Sequence, residues 1–342
     1  MTDHATLDRL GWARYCERAR SDGDASTTAE AGLVLGRVRR VDRGECDVST
    51  GSGELRVLSD STRAQRVTAP ATGDWVLVDA DAAPAPRLER VLPRATAIVR
   101  RDPSEEVIEQ VLVANVDVVG VVAAVDRPLN LAKIERFLVL AADSGAEPVV
   151  VCTKVDLGVG DEWAQLPDLL GDIPVLHTSA SARSGVDAVH DLVRDDRTLV
   201  LLGESGAGKS TLVNALVGAE VQRTTEVRSG DAKGRHTTTA RELVLVPGGG
   251  VLIDTPGVRG VGLWDAEGAV ERVFADIGDL ADECRFGDCS HRVEPGCAVK
   301  AAVEVGELDG ARVARYLRLR DELDEQAERR EDQRRRARGR RR

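Results

Sequence analysis

The chain has 342 residues, which at roughly 150 residues per domain makes two to three domains the expectation and a single compact module a poor fit. Hydrophobic residues, at 42%, supply enough apolar side chains for buried cores and exclude wholesale disorder, although aromatics are only 3% and there is a single Met. The net charge of −11 conceals an asymmetry: residues 329–342 (RREDQRRRARGRRR) carry nine Arg against two acids, so an acidic body ends in a cationic tail.

The first twenty residues, MTDHATLDRLGWARYCERAR, contain no apolar stretch of secretory type. The longest apolar run, residues 118–125, is far below the roughly 20 residues a membrane span requires. No membrane association is expected, and a cytoplasmic location is. Residues 20–30 (RSDGDASTTAE) are small, polar and unpatterned, so residues 1–29 are expected to form a flexible leader. From residue 31 to 93, short Val- and Leu-rich runs (GLVLGRV, ELRVL, DWVLVD, RLERVL) alternate with turn signals, which predicts a small all-β unit, plausibly a barrel.

From residue 118 apolar strand runs (VVGVVAAV, PVVVC, IPVL, TLVLL) alternate with helix-period stretches. Leu131, Ile134, Phe137, Leu138 and Ala141 share one helical face, with Gly145 as a stop. This alternation predicts a parallel sheet covered by helices. After about residue 270 the chain becomes helical and bears Cys and His. Val313, Tyr316, Leu317 and Leu323 mark an amphipathic helix there, and the Arg-rich stretch behind it resembles no packed element, with solvated disorder and RNA contact both open.

Residues 203–210 read GESGAGKS, a full match to GxxxxGK[ST], placed between a predicted strand (198–202) and a predicted helix (209–217) that stops at Gly218. Gly203, Gly206 and Gly208 let the backbone turn tightly enough for the N–H groups of the Gly203-Glu204-Ser205-Gly206-Ala207-Gly208 loop to meet phosphate oxygens. Lys209 can reach the β and γ phosphates, the Ser210 hydroxyl suits Mg²⁺, and Thr211 follows one step into the helix. The motif points to a nucleoside triphosphate and is silent on the base.

Residues 153–156 (Thr153, Lys154, Val155, Asp156) end another buried strand, at the sheet edge where ligands bind in such folds. The Asp156 carboxylate can accept from both N1–H and the 2-amino group of guanine, a paired donor edge that adenine lacks. GTP and GDP are therefore the expected ligands. Lys154 can lay its stem over the base, and Ser179 and Ala180, in the stretch after IPVL, can supply a backbone N–H to the guanine carbonyl. Thr153 stands where such motifs more often hold Asn, which predicts the loss of an amide that ties neighbouring loops together.

Asp254, at the end of the apolar run 251–253, can hold a Mg²⁺-bound water, and the Gly257 N–H of the same DTPG segment can sense a γ-phosphate. Upstream, GDAKGRHTTT (230–239) is a polar loop whose threonines can close over Mg²⁺; the choice among Thr237, Thr238 and Thr239 stays open, with Thr238 taken as the site residue. Many GTPases place a Gln after the DxxG glycine to order the attacking water, but Val258 stands there, so slow basal turnover is expected. His236 is the nearest titratable alternative, with a structural or RNA-facing role equally open. Cys284, Cys289, His291 and Cys297 form C-x4-C-x-H-x5-C, three thiols and one imidazole suited to a closed, structural Zn²⁺ site. Three further cysteines, Cys16, Cys46 and Cys152, are scattered singly, which argues for a reducing compartment over a disulfide framework.

Ordinary GTPases run phosphate loop, switch threonine, DxxG, [NT]KxD and SA. Here the last two come first, the order expected of a circularly permuted GTPase whose old termini are joined. The stretches PATGDWVLVD, EQVLVANVD, AVDRPLNLAKIERFLVLA, GESGAGKST, GRHTTT, DTPGVRG and CRFGDCSHRVEPGCAV together resemble the ribosome small-subunit-dependent GTPase A family, over nearly everything from residue 32 to 323. The resemblance implies an OB-fold barrel that contacts ribosomal RNA, a permuted P-loop GTPase domain and a zinc-binding helical domain, placed at residues 30–97, 98–270 and 271–328 with the tail at 329–342. It also implies GTP hydrolysis stimulated by the small (30S) ribosomal subunit, with its 16S rRNA as partner, during late maturation of that subunit. The chain is expected to act as a monomer.

The alternatives are a nucleotide-gated rRNA-binding scaffold with little turnover and a permuted GTPase acting on the large subunit. Residues 30–97 hold ten Arg, no Lys and ten acids, and Trp75 is their only aromatic. Base stacking is therefore a poor expectation for the barrel, and Arg contacts to phosphates and RNA shape a better one.

Overall fold

The structure, a computed structural model, describes residues 4–21, 32–59, 68–101, 109–218, 241–254 and 266–340. It divides into two compact units, residues 1–129 with 144–261, and residues 130–143 with 262–342. Among the described residues no helix is long and apolar enough to cross a membrane.

The first unit opens with two helices, α1 (His4–Arg9) and α2 (Trp12–Ser21), where the sequence predicted a flexible leader. They form because Leu7 on α1, Leu10 in the turn between them, and Tyr15 and Ala19 one turn apart on α2 are all buried. Trp12 and Tyr15 pack against Trp75 at ring separations of 4.8 and 5.9 Å. The barrel's aromatic is thus committed to the interior and presents no stacking face.

Strands β1 (Val34–Val41), β2 (Glu45–Thr50), β3 (Gly53–Leu58), β4 (Trp75–Asp79) and β5 (Arg87–Val91) close into a barrel in the order β1-β2-β3-β5-β4. Alternate residues Val38, Cys46, Val48, Val57, Val76, Val78 and Leu88 fill it. Several of its arginines are already engaged. Arg56 meets Asp42, Glu45 and Asp47, each at 2.8 Å, and Arg39 meets Glu54 and Glu242. Arg94 grips the fully buried Asp74 through two bonds of 2.7 Å. Arg37 is buried over the Trp75 ring and donates to the carbonyls of Leu10, Gly73 and Asn115; desolvation brings its pKa down to about 10. Any phosphate recruited by Arg39 or Arg56 must displace a carboxylate.

A hairpin of β6 (Ala97–Arg101) and β7 (Glu109–Ala114) leads into β8 (Val118–Ala124) and then α3 (Leu131–Asp143), which belongs to the second unit. The chain returns through β9 (Glu147–Thr153), α4 (Asp161–Ala164), α5 (Leu166–Leu170), β10 (Val175–His177), α6 (Val186–His190), β11 (Thr198–Gly203), α7 (Lys209–Val217), β12 (Glu242–Leu245) and β13 (Val251–Asp254). The sheet runs β10-β9-β8-β11-β13-β12. Its first five strands are parallel, as expected, and β12 pairs antiparallel at the edge. The near-continuous apolar runs of β8, β9 and β11 follow from burial on both faces.

The second unit contains α3, α8 (Glu267–Val273), α9 (Ala275–Ala281), α10 (Ala298–Val305) and α11 (Gly310–Arg340). In this unit α3 packs against α8. Glu135 sits fully buried on α3 and needs cationic partners, which α11 provides. Arg315 supplies one at 2.7 Å and Arg312 another at 3.3 Å, with Arg312 also held by Asp276 and stacked over Phe274. The Arg-rich tail, which looked unlike any packed element, continues α11 to Arg340. Glu325–Arg329 and Glu331–Arg335 pairs one turn apart support it past Leu323, the last of its buried apolar side chains.

Candidate nucleotide site and metal centre

Because β8, β9, β10, β11 and β13 are parallel, the loops that follow them leave the sheet along one edge. The phosphate loop follows β11. Gly203, with φ of +147°, has no room for a side chain because a Cβ would run into the Val122 carbonyl. Gly208, with φ of +88°, precedes α7, whose first turn holds Lys209, Ser210 and Thr211. Lys209 Nζ donates to the carbonyl oxygens of Gly203 (2.7 Å) and Glu204 (2.6 Å), folding the loop around its own ammonium. Asp254 ends β13, the neighbour of β11 in the sheet.

Thr153, 54 residues upstream of Ala207, donates its hydroxyl to the Ala207 carbonyl at 2.6 Å and lies 3.3 Å from the Ala123 carbonyl. The expected loss of a tie at this position is therefore corrected: the hydroxyl makes from a shorter stem the bridge that an amide would make. Replacing Thr153 by Val keeps the shape and removes the donor, leaving a buried carbonyl unpaired at about 1–3 kcal/mol. GDP release measured by fluorescent-nucleotide chase should accelerate about tenfold or more.

On the far side of the same edge, Lys154 adopts a left-handed backbone conformation and pairs with Asp126 at 2.7 Å. Val155 donates to the Thr178 carbonyl, joining the loop after β9 to the loop after β10. Asp156 is exposed. Hydrogen bonds from Ser179 and then Ser181 hold its carboxyl below the usual range, with the Ser181 hydroxyl 3.3 Å away. Ser179 is buried, exchanges backbone bonds with Ser184, and accepts from the Ala182 N–H at 3.1 Å, so Ala180 lies in a tightly held turn. Gly185 closes that turn at φ of +67°, where a Cβ would meet the His177 carbonyl. His236, Thr238, Gly257 and Val258 lie outside the described residues.

In the second unit the ligand atoms of Cys284, Cys289, His291 and Cys297 lie within 4.8 Å of one another. Cys284 and Cys297 sulfurs stand 3.6 and 3.5 Å from His291 Nδ1 and 3.9 Å apart. A tetrahedral ion with Zn–S near 2.3 Å separates its sulfurs by about 3.8 Å, so the donor set fits such an ion. Burial pushes the Cys284 thiol up, but the Ala298 and Val299 N–H groups and the neighbouring thiols outweigh it and bring it below its ordinary value. Glu294 organises the ligand loop: its carboxylate accepts from the Ser290, Arg292 and Val293 N–H groups at 3.1 Å each and from the Ser290 hydroxyl at 2.6 Å, and its pKa falls to about 2.

Four residues at these sites were not singled out from sequence: Asp126, Arg127, Ser181 and Glu294. The first two follow β8 at the ligand edge of the sheet, inside the stretch AVDRPLNLAKIERFLVLA, whose resemblance to the family assigns neither of them a role.

A GESGAGKS loop tied to a TKVD loop that comes before it along the chain is the arrangement of a circularly permuted GTPase. The sequence profile of the RsgA GTPase family matches residues 91–264, and the small ribosomal subunit biogenesis GTPase RsgA of Streptomyces coelicolor is 47% identical over 326 residues, spanning 93% of this chain and 87% of that protein. The chain belongs to the RsgA GTPase family. The protein of the same description from Streptomyces avermitilis is 50% identical over 297 residues, spanning 84% of this chain and 79% of its own. YjeQ from Thermotoga maritima superposes with a TM-score of 0.64 at 28% identity, covering 85% of this chain and 98% of that one. YloQ, a circularly permuted GTPase, shares the fold with a TM-score of 0.63 at 23% identity and coverages of 87% and 98%.

Proposed function

We propose that this GTPase docks on the small ribosomal subunit through 16S rRNA and hydrolyses GTP during late maturation of that subunit. The observation that carries the nucleotide reading is the 2.6 Å bond from Thr153 to Ala207, which brings the TKVD and GESGAGKS motifs into one site despite their inverted order. The relatives described as small ribosomal subunit biogenesis GTPases carry the partner.

In this reading Asp156 takes the two donors of the guanine edge while Lys154, Val155, Ser179 and Ala180 frame the base. The N–H groups from Gly203 to Thr211 receive the phosphates, and Lys209 neutralises charge that develops on the transferred phosphoryl group. Ser210, Thr238 and Asp254 would hold Mg²⁺, directly or through its hydration, and the ion would supply charge neutralisation at the phosphates. Gly257 senses the γ-phosphate, and His236 orders the attacking water that Val258 cannot. The Cys284-Cys289-His291-Cys297 cluster holds one structural Zn²⁺. The protein works as a cytoplasmic monomer, with residues 30–97 as the RNA-facing barrel, 98–270 as the GTPase and 271–328 as the zinc-bearing helices.

The deciding experiment measures phosphate release from GTP and from ATP, alone and with purified small or large subunits. Slow GTP turnover, accelerated by small subunits alone, is the expected result. Turnover that small subunits leave unchanged, or that large subunits raise equally, overturns the proposal.

A further inference from the structure

The carbonyl oxygens of the phosphate loop are held one after another by side chains. Lys209 takes those of Gly203 and Glu204, and Thr153 takes that of Ala207. Arg127 takes that of Ser205, its Nη1 lying 3.2 Å away. A trans peptide points its C=O and N–H in opposite directions, so fixing the Ser205 carbonyl on Arg127 turns the Gly206 N–H away from the guanidinium. Gly206 makes this restraint necessary: with φ of +77° and no Cβ, the 205–206 peptide can rotate at little steric cost. The guanidinium also fills the space beside this glycine, since a Cβ on Gly206 would come within 2.7 Å of Arg127 Nη2.

Arg127 is itself supported. Its carbonyl accepts from the indole N–H of buried Trp163 at 3.0 Å, and the Leu129 N–H is held by Glu162 at 3.1 Å. The preceding residue, Asp126, grips Lys154 of the base-reading loop. We propose that Arg127 is a positioning residue for GTP hydrolysis by this chain, acting through the Ser205 carbonyl to aim the Gly206 N–H at the nucleotide phosphates. Its role is that of a hydrogen-bond donor to the loop rather than of a charge for the ligand. The inference rests on the phosphate-loop assignment made above.

The test compares the full-length wild type with Arg127→Met, which keeps the stem without a donor, and Arg127→Gln, which restores a neutral donor. Dissociation of N-methylanthraniloyl-GDP is followed by chase with unlabelled GDP, alongside the melting temperature of the nucleotide-free chain. Arg127→Met should release GDP about tenfold faster, and Arg127→Gln should recover to within about threefold of wild type. Melting temperatures should stay within about 2 °C of wild type because the loop lies at the surface. Release from Arg127→Met within about twofold of wild type overturns the proposal. So does an Arg127→Gln variant as fast as Arg127→Met, because charge rather than the donor would then be acting. If Arg127→Met does not fold, Arg127→Ala replaces it in the same comparison with Arg127→Gln. A wild type that holds ADP as well as GDP is a failure of the nucleotide reading, whereas guanine preference with an indifferent Arg127→Met is a failure of this inference alone.

Discussion

Replacing Cys297 by Ala should abolish stoichiometric zinc binding and unfold the helical unit that surrounds it. Between Asp282 and Cys297 the chain has neither helix nor strand, and its apolar side chains do little packing: Val293 is 82% exposed and Phe286 40%. The following helix, α10, has only eight residues, a length marginal on its own, and its N-cap is the Cys297 sulfur, which accepts from the Lys300 N–H at 3.5 Å. One sulfur would thus serve a metal while it starts a helix. Structural zinc contributes on the order of 10–16 kcal/mol in small domains at neutral pH, against a net domain stability of about 5–15 kcal/mol. Its removal therefore exceeds what the Glu294 bonds and the Arg312–Glu135 network can offset. Elemental analysis should find one Zn per wild-type chain and none in Cys297→Ala, and circular dichroism should lose helix on adding a chelator to the wild type. Retention of full helicity by the metal-free chain would show that packing alone sustains the unit.

How far the sequence carried this result depends on the range of the interaction concerned. The phosphate loop was legible to the residue, with α7 beginning at Lys209 and stopping before Gly218, because strand, glycines and helix are contiguous and locally determined. The grouping of Cys284, Cys289, His291 and Cys297 was legible for the same reason. At Thr153 the motif shows a missing amide, whereas the requirement is a donor within reach of the Ala207 carbonyl, a distance set by sheet register. Glu135 was unremarkable beside Ile134 until Arg312 and Arg315, some 180 residues later, proved to be its partners. The leader was underestimated since α1 and α2 are short and charged outside; only burial of Leu7, Leu10 and Tyr15 justifies them. Arg127 lies in a family-like stretch that gives it no role, and its meaning comes from following a parallel strand to the edge where the phosphate loop also emerges.

Replacing Asp156 by Asn should convert the chain from a guanine to a xanthine nucleotide hydrolase. Guanine presents N1–H and a 2-amino group side by side, and the two oxygens of a carboxylate accept both. An amide keeps one acceptor and substitutes a donor for the other, so one of the two pairs becomes donor against donor, a mismatch that polar recognition sites reject by a hundredfold or more, roughly. Xanthine replaces the 2-amino group with a carbonyl, which turns that same mismatch back into a hydrogen bond. GTP turnover should therefore collapse while XTP is hydrolysed near the wild-type GTP rate, since Lys209, Ser210 and the loop N–H groups do not change. In the wild type, hydrogen bonds from Ser179 and Ser181 hold the carboxyl below its ordinary range. It remains ionised as pH falls through that range, and guanine preference should persist there and fade only beneath it. Competition of GTP, XTP and ATP against a fluorescent nucleotide checks both expectations. A variant that still prefers GTP, or that gains ATP in place of XTP, would show that the base is read by groups other than the residue-156 side chain.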